Sequence, residues 1–404
     1  MGLIWLCWLV YACSYVGKVN YAANINQVMA FYGVDHSTAG LAGTLFFFAY
    51  GVGQVVNGLL CKRYHLKWMV FGSLILSGAI NLLVGLSSAF LPIQILWLLN
   101  GFSISVLWPS LIRLLSESLP RRDMSRASAI MGTTVAVGTF LIYALSAVFI
   151  KINFKLSFFL PAVLFGVVSV VWLAAFPRAV ARARAQEEDA EEVAATAAAG
   201  TRTGAHGLLL PIVMLCIYGV ATNLIKDGLT TWVPSILKEQ YQLDASLSII
   251  LTLALPLCAT FSNLFALSTH KHIPDFVWNC AALFMASGVV IACVLGGLST
   301  DSFWITLVGF AVVCFLISAS NSLITGIFPL FMKGKVNSGL VAGILNGFCY
   351  LGSTVSSYGL GAVADARGWS AVFWVLLSVC GAVCVGALIY SAIKGALRRK
   401  ALSN

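Results

Sequence analysis

Three cationic side chains stand where charge is costly. Of the 24 lysines and arginines in the 404-residue chain, Lys18, Arg113 and Lys226 lie inside long apolar runs. A charge there costs about 3 kcal/mol or more unless it faces partners or water, so an ionisable residue at such depth is read first as functional. Two ammonium groups in such places suit the holding of a small anion. The plain alternative is that each lysine snorkels to the membrane surface. For Lys18 that fails if its helix spans 3–29. Arg113 differs, because Glu117 follows it by four residues near the end of its run. An i,i+4 ion pair there favours a structural or gating role over substrate contact.

The neighbours of the two lysines are polar and share their helix faces. Tyr11, Tyr15 and Lys18 are spaced four and three apart, which places two hydroxyls and an ammonium on one face. The same tyrosines could instead pack between helices. Asn223 precedes Lys226 by three residues and shares its face. Asp227 follows at about 100° around the helix and is expected to pair with a lysine or a polar group across the bundle. Asn346 and Tyr350, four apart, either line a cavity or pack. Gly339, Gly343 and Gly347 repeat at the same interval, a pattern that lets helices approach closely.

The elements that carry these residues are set by composition. The chain is 60% hydrophobic and 9% charged, too little charge to cover a soluble protein of this size. A spanning helix needs about 20 apolar residues. Twelve such stretches are present, at 3–29, 38–60, 67–89, 91–117, 127–150, 155–177, 208–237, 245–268, 274–297, 303–331, 336–363 and 370–393. They must be helices, because backbone groups in hydrocarbon have to pair within their own segment. A polar stretch, 178–206, divides the chain into an N-terminal bundle (1–177) and a C-terminal bundle with a short tail (207–404). It reads as a flexible or weakly helical linker. The halves echo each other: Asp35 follows Lys18 by 17 residues, and Asp244 follows Lys226 by 18.

The net charge of +10 is distributed by side. Loops after even-numbered runs, with the tail, hold seventeen basic residues against four on the other side. This asymmetry places both termini in the cytoplasm and removes the need for a nucleic-acid partner. The eleven cysteines form no pattern and read as small apolar residues rather than disulfides or metal ligands. No cationic leader with a cleavage site precedes the first run, so no signal peptide is expected. The five histidines fall in loops or at run ends. No acid pair lies within the apolar runs, and no nucleotide-binding glycine loop precedes a polar helix, so neither an enzyme nor a bound cofactor is expected.

Four groups of residues carry a family resemblance. They are Tyr11-x-x-x-Tyr15-x-x-Lys18-x-Asn20-Tyr21-Ala22; Gly101 with Trp108-Pro109 and Arg113; Lys226-x-Gly228 with Trp232 and Pro234; and Ala342-Gly343, Tyr350-Leu351-Gly352, Asp365 and Gly368-Trp369. Over most of both halves, the linker excluded, the chain resembles the organophosphate:phosphate antiporters, which include glycerol-phosphate and hexose-phosphate exchangers. The resemblance implies an all-α integral membrane protein of the major facilitator fold, with 12 transmembrane helices in two six-helix bundles related by pseudo-two-fold symmetry. In that family two arginines, one per half, bind the substrate phosphate; Lys18 and Lys226 occupy their positions. It also implies substrate roles for Tyr15, Tyr11 and Tyr350. The family's helix-five histidine falls near Val135, where Thr133 and Thr134 are the polar groups. Lysine at both arginine positions lacks the planar fork that suits phosphate.

These features lead to a secondary transporter of small organic anions, working by alternating access as a monomer in the cell (inner or plasma) membrane. Its expected cargo is a phosphorylated metabolite exchanged for phosphate. Lys18 and Lys226 would bind it, with Tyr11, Tyr15, Asn223, Tyr350, Asn346 and Thr134 orienting it. Two other readings stay open: a carboxylate carrier of the same fold, and a transporter-like sensor of sugar phosphate.

Overall fold

Glycine, asparagine and aspartate cut the apolar runs into the helices of the computed structural model, which describes residues 2–60, 65–119, 121–194, 209–331 and 338–403. In chain order these are α1 (Leu3–Val16), α2 (Asn20–Ala23), α3 (Ile25–Tyr32), α4 (His36–Leu60), α5 (Leu66–Leu86), α6 (Phe90–Ser105), α7 (Leu107–Ser118), α8 (Arg121–Gly132), α9 (Thr134–Phe149) and α10 (Leu156–Ala194). There follow α11 (Leu209–Gln240), α12 (Ala245–Thr252), α13 (Ala254–Ala259), α14 (Ser262–His272), α15 (Phe276–Ser299) and α16 (Phe303–Asn321). A π-helical segment (Ser322–Ile327) leads into α17 (Phe328–Phe331), and α18 (Ser338–Ser403) closes the chain. No strand occurs among the described residues.

Among those residues nine helices are long and apolar enough to cross a bilayer, and ten if the bent pair Ala245–Ala259 and Ser262–His272 is one span. Two features account for the difference from twelve apolar runs. The first run is cut at Gly17–Val19 and again at Asn24, which leaves Leu3–Val16 as its longest piece. The last two runs form one continuous element in which Gly368 (φ 75°, ψ 174°) is non-helical; a backbone angle of that sign is freely available only to glycine. The polar stretch after 177 begins as helix, since α10 continues to Ala194; 195–206 lie outside the described residues.

The chain separates into two compact units, Met1–Ala199 with Asp244–Pro256, and Gly200–Leu243 with Leu257–Asn404. In the first, α1 lies against α9 and α10, and α4 against α6. Gly101 meets the Phe46 carbonyl and Gly138 the Ala12 carbonyl, so that a Cβ at either would collide with backbone. The Ser246 hydroxyl of α12 donates to the Ala147 carbonyl of α9 at 2.6 Å, tying the start of the eighth run into this unit. In the second unit α11 runs along α18, and Gly352 sits directly on the Val220 carbonyl. Large apolar side chains such as Leu91, Val163 and Trp304 face outward, as a lipid-solvated surface requires.

The glycine stripe of α18 behaves otherwise than its spacing suggests. A Cβ at Gly343 or Gly347 would meet nothing within 4 Å, and the side of Gly339 lies outside the described residues. The face of α18 that packs on α11 carries Leu345, Cys349, Gly352, Ser356 and Leu360. Gly343 and Gly347 fall on the adjacent face with Tyr350, because their register differs by two residues. The echo between the halves has a local cause. Asp35 accepts the Thr38 amide at 2.8 Å, and Asp244 accepts the Ser246 amide at 2.9 Å. Each carboxylate thus caps the helix that follows it.

Candidate functional site

In the first unit Lys18 occupies the break between α1 and α2. A broken helix leaves carbonyls without intrahelical donors. Here the Gly17 carbonyl accepts from Asn100 Nδ2 at 2.9 Å and Asn81 Nδ2 at 3.5 Å. Asn20 Nδ2 reaches Asn81 Oδ1 at 2.8 Å and the Ser157 carbonyl at 3.1 Å. Asn24 Nδ2 donates to Ser146 Oγ at 3.0 Å, and Ser77 Oγ donates to Asn100 Oδ1 at 2.5 Å. All of these side chains are buried. Every amide nitrogen of this cluster is engaged, and Asn20 Oδ1 alone among its amide oxygens is left without a partner. A buried network so nearly satisfied favours one geometry, because most alternatives strand further polar groups. It holds the break, and with it Lys18, on four surrounding helices.

Lys18 is 9% exposed. Its Nζ lies 3.9 Å from the centre of the Tyr50 ring and 5.0 Å from that of Tyr15. A desolvated ammonium over an aromatic face gains about 2 kcal/mol, so the rings offset part of the cost of its depth. Tyr11 is edge-on to Tyr15, with ring centres 5.5 Å apart, and lies 4.7 Å from Trp108. At 5% exposure its ring serves the stack. The Thr134 side chain is fully buried, and its hydroxyl donates to the Met131 carbonyl at 2.5 Å. Thr133 receives Trp8 Nε1 at 2.8 Å. Both threonines are thereby engaged at the break between α8 and α9, where the Thr134 hydroxyl proton is committed to local backbone. Arg113 and Glu117 form their pair, Nε to Oε1, at 2.6 Å.

In the second unit Lys226 stands within α11, which is unbroken from Leu209 to Gln240. Its Nζ lies 3.5 Å from Asp227 Oδ1. Ser353 of α18 donates to Asp227 Oδ2 at 2.5 Å, and Asn223 Nδ2 donates to Ser353 Oγ at 3.0 Å. Asn223, Ser353, Asp227 and Lys226 thus form one polar chain across the α11–α18 contact. Asn346 and Tyr350 are half-buried on α18. The motif tryptophans are structural: Trp232 Nε1 donates to the Ser357 carbonyl at 3.2 Å, and its ring lies 5.9 Å from that of Trp369.

Tyr50 and Ser353 went unnoticed in the sequence. Ser353 had a signal, since Asn346, Tyr350 and Ser353 are spaced four and three and share a face. Tyr50 had none, because it closes an aromatic run, Phe46 to Tyr50, that reads as core. No cluster of three or more metal-ligating side chains occurs among the described residues.

The family model described as Major Facilitator Superfamily matches residues 7–338. The chain is similar to the membrane sensor protein UhpC of Salmonella typhimurium, at 24% identity over 93% of this chain and 87% of that protein. It is also similar to a probable hexose phosphate transport protein of Chlamydia pneumoniae, at 21% identity over 93% and 87%. These relatives accord with the antiporter family that the motifs resemble. Among solved structures, a mutant peptide transporter POT in complex with sulfate superposes with a TM-score of 0.79 at 13% identity, covering 98% of this chain and 95% of that one. That likeness bears on the fold.

Proposed function

Because this chain belongs to the major facilitator superfamily, we propose that it carries small phosphorylated organic anions of the hexose-phosphate class across the membrane by alternating access, in exchange for phosphate. The observation that carries this reading is the lysine at membrane depth in each unit, Lys18 over two tyrosine rings and Lys226 within a polar chain. Each α11 end is far from Lys226, at about 1.5 Å of rise per residue, so this ammonium sits deep along a helix of 32 residues. A relative named for hexose phosphate supports the cargo class. Tyr15, Tyr350, Asn346 and Asn223 are the polar groups we assign to orienting it. We further propose a monomer in the cell membrane with both termini cytoplasmic, from the asymmetry of basic loops.

The test is uptake into liposomes. Labelled hexose phosphate should enter when phosphate is inside, and respond little to an imposed pH gradient. Accumulation driven by that gradient alone, into vesicles without internal anion, would refute exchange. Replacing both lysines by arginine should preserve or tighten phosphate-ester binding through the guanidinium fork; loss of it with carboxylates still bound would point to an organic-acid carrier. The similarity to a membrane sensor protein favours a second reading, in which the same ligand binds without being carried. Ligand-dependent thermal stabilisation without flux would support the sensor.

A further inference from the structure

The pairing of Lys226 with Asp227 runs against helix geometry. Residues one apart stand about 100° apart and do not face each other, yet Nζ and Oδ1 are 3.5 Å apart. The flexible lysine stem makes this possible by swinging sideways. The carboxylate is fixed independently, since Oδ2 takes the Ser353 hydroxyl at 2.5 Å and Ser353 takes Asn223 Nδ2 at 3.0 Å. Asn223 is 4% exposed, and its Oδ1 lacks a hydrogen-bond partner. One oxygen of Asp227 therefore belongs to the α11–α18 contact, and the other is turned to the ammonium.

We propose that Asp227 is a resident counter-ion that an anionic substrate must displace from Lys226, and that Ser353 sets how much of its charge that lysine feels. The inference rests on reading Lys226 as a substrate cation. An unpaired charge buried between closing surfaces is strongly unfavourable. Asp227 removes that penalty at Lys226 when no anion is bound, and opposes the anion when one arrives. When phosphate oxygens take the ammonium, Oδ2 keeps its bond to Ser353, so the displaced carboxylate is not left without a donor. Asp227 thus lowers affinity for the anion and eases return of the empty carrier, while Ser353 moderates both effects by drawing charge away from Lys226.

Two variants read this in opposite directions. Asp227→Asn keeps the shape and removes the charge; its affinity for inorganic phosphate and glucose 6-phosphate, by calorimetry on purified protein, should rise about fivefold, the worth of a partly exposed ion pair. In liposomes its net uptake without internal anion should fall while exchange persists. Ser353→Ala leaves the carboxylate to Lys226 alone, so its affinity for both probes should fall. A purely structural role would weaken binding in both variants, and that result overturns the proposal. So does unchanged or weaker binding by a folded Asp227→Asn. Should Asp227→Asn fail to insert, Asp227→Ser, which also removes the charge, decides in its place: tighter binding supports the proposal, unchanged or weaker binding refutes it. If the unaltered protein binds neither probe, the substrate reading itself falls; if it binds both and only the variants disagree, the counter-ion role alone falls.

Discussion

The two units solve the same problem, a cation deep in an apolar bundle, by different means. In the first the helix breaks at the lysine, buried amides hold the break, and two tyrosine rings face the ammonium. In the second the helix continues through the lysine, and a carboxylate anchored from α18 answers its charge. Ring faces lower the energy of a cation without cancelling its charge, whereas a carboxylate cancels it. An anion approaching Lys226 meets a dipole with Asp227, whereas one approaching Lys18 meets an ammonium set against two ring faces. Similar sequence positions in the two halves are therefore not electrostatic equals.

The largest expected effect comes from deleting each charge. Lys18→Ala and Lys226→Ala should each lower transport in reconstituted vesicles by roughly 30-fold or more, the cost of losing one partner of a desolvated charge pair. Their stabilities should diverge. Lys226→Ala strands Asp227 and should lower Tm, and adding Asp227→Asn should restore Tm but not transport. Lys18→Ala leaves aromatic faces that need no cation. If both single variants insert and transport normally, the comparison has no functional content; if they lose stability equally, it is wrong about the carboxylate.

Next is the contact that holds the carboxylate. Gly352 precedes Ser353 and sits on the Val220 carbonyl. Gly352→Ala should push α18 from α11, draw Ser353 away from Asp227 and cost about 1–3 kcal/mol, as overpacking does. Gly343→Ala and Gly347→Ala enter open space and should be neutral or stabilising by up to about 1 kcal/mol. Thermal unfolding in detergent ranks the three, and equal losses would remove the assigned packing face.

A smaller effect tests the rings. Tyr50→Phe keeps a face for Lys18 and should bind the anion as before, while Tyr50→Leu should shift stability or binding by about 1 kcal/mol. Identical behaviour of the two variants would show that the ring face contributes nothing.

The smallest effect concerns Asp35, in the loop before α4. Hydrogen bonds from Thr38 hold its carboxyl below the usual value. A depressed acid contributes stability that is present above its unfolded pKa and lost as pH falls through the folded value. Melting curves of the unaltered protein and Asp35→Asn should therefore differ at neutral pH and converge in acid, by little, since this group is close to solvent. A gap that widens on acidification would contradict the cap.

How far the sequence disclosed these arrangements differs by residue. The helical runs and the depth of Lys18 and Lys226 follow from hydropathy alone, and the Arg113–Glu117 pair from a spacing of four. Asp227 was legible as a partner-seeking acid, but its capture by Lys226 was not, because helix geometry argues against neighbours meeting. The break at Gly17 was hidden for a related reason: its causes are Asn81 and Asn100, far along the chain. Gly343 and Gly347 misled because a stripe of glycines marks a face without saying what lies opposite it. Thr134 was reached by default, as the polar residue beside an expected histidine, and local backbone claims its hydroxyl.

The amide cluster at Gly17 also bears on the order in which this protein is made. Asn81 and Asn100 lie 64 and 83 residues beyond Gly17, and Ser157 lies 137 beyond Asn20. None of them exists when the first run leaves the ribosome. Until they arrive the carbonyl of Gly17 has no side-chain donor, and in hydrocarbon an unbroken helix is the structure that satisfies it. The first run should therefore enter the membrane straight and acquire its break only after the third, fourth and sixth runs have joined it. Lys18, among the earliest residues synthesised, is then among the last to reach its final place.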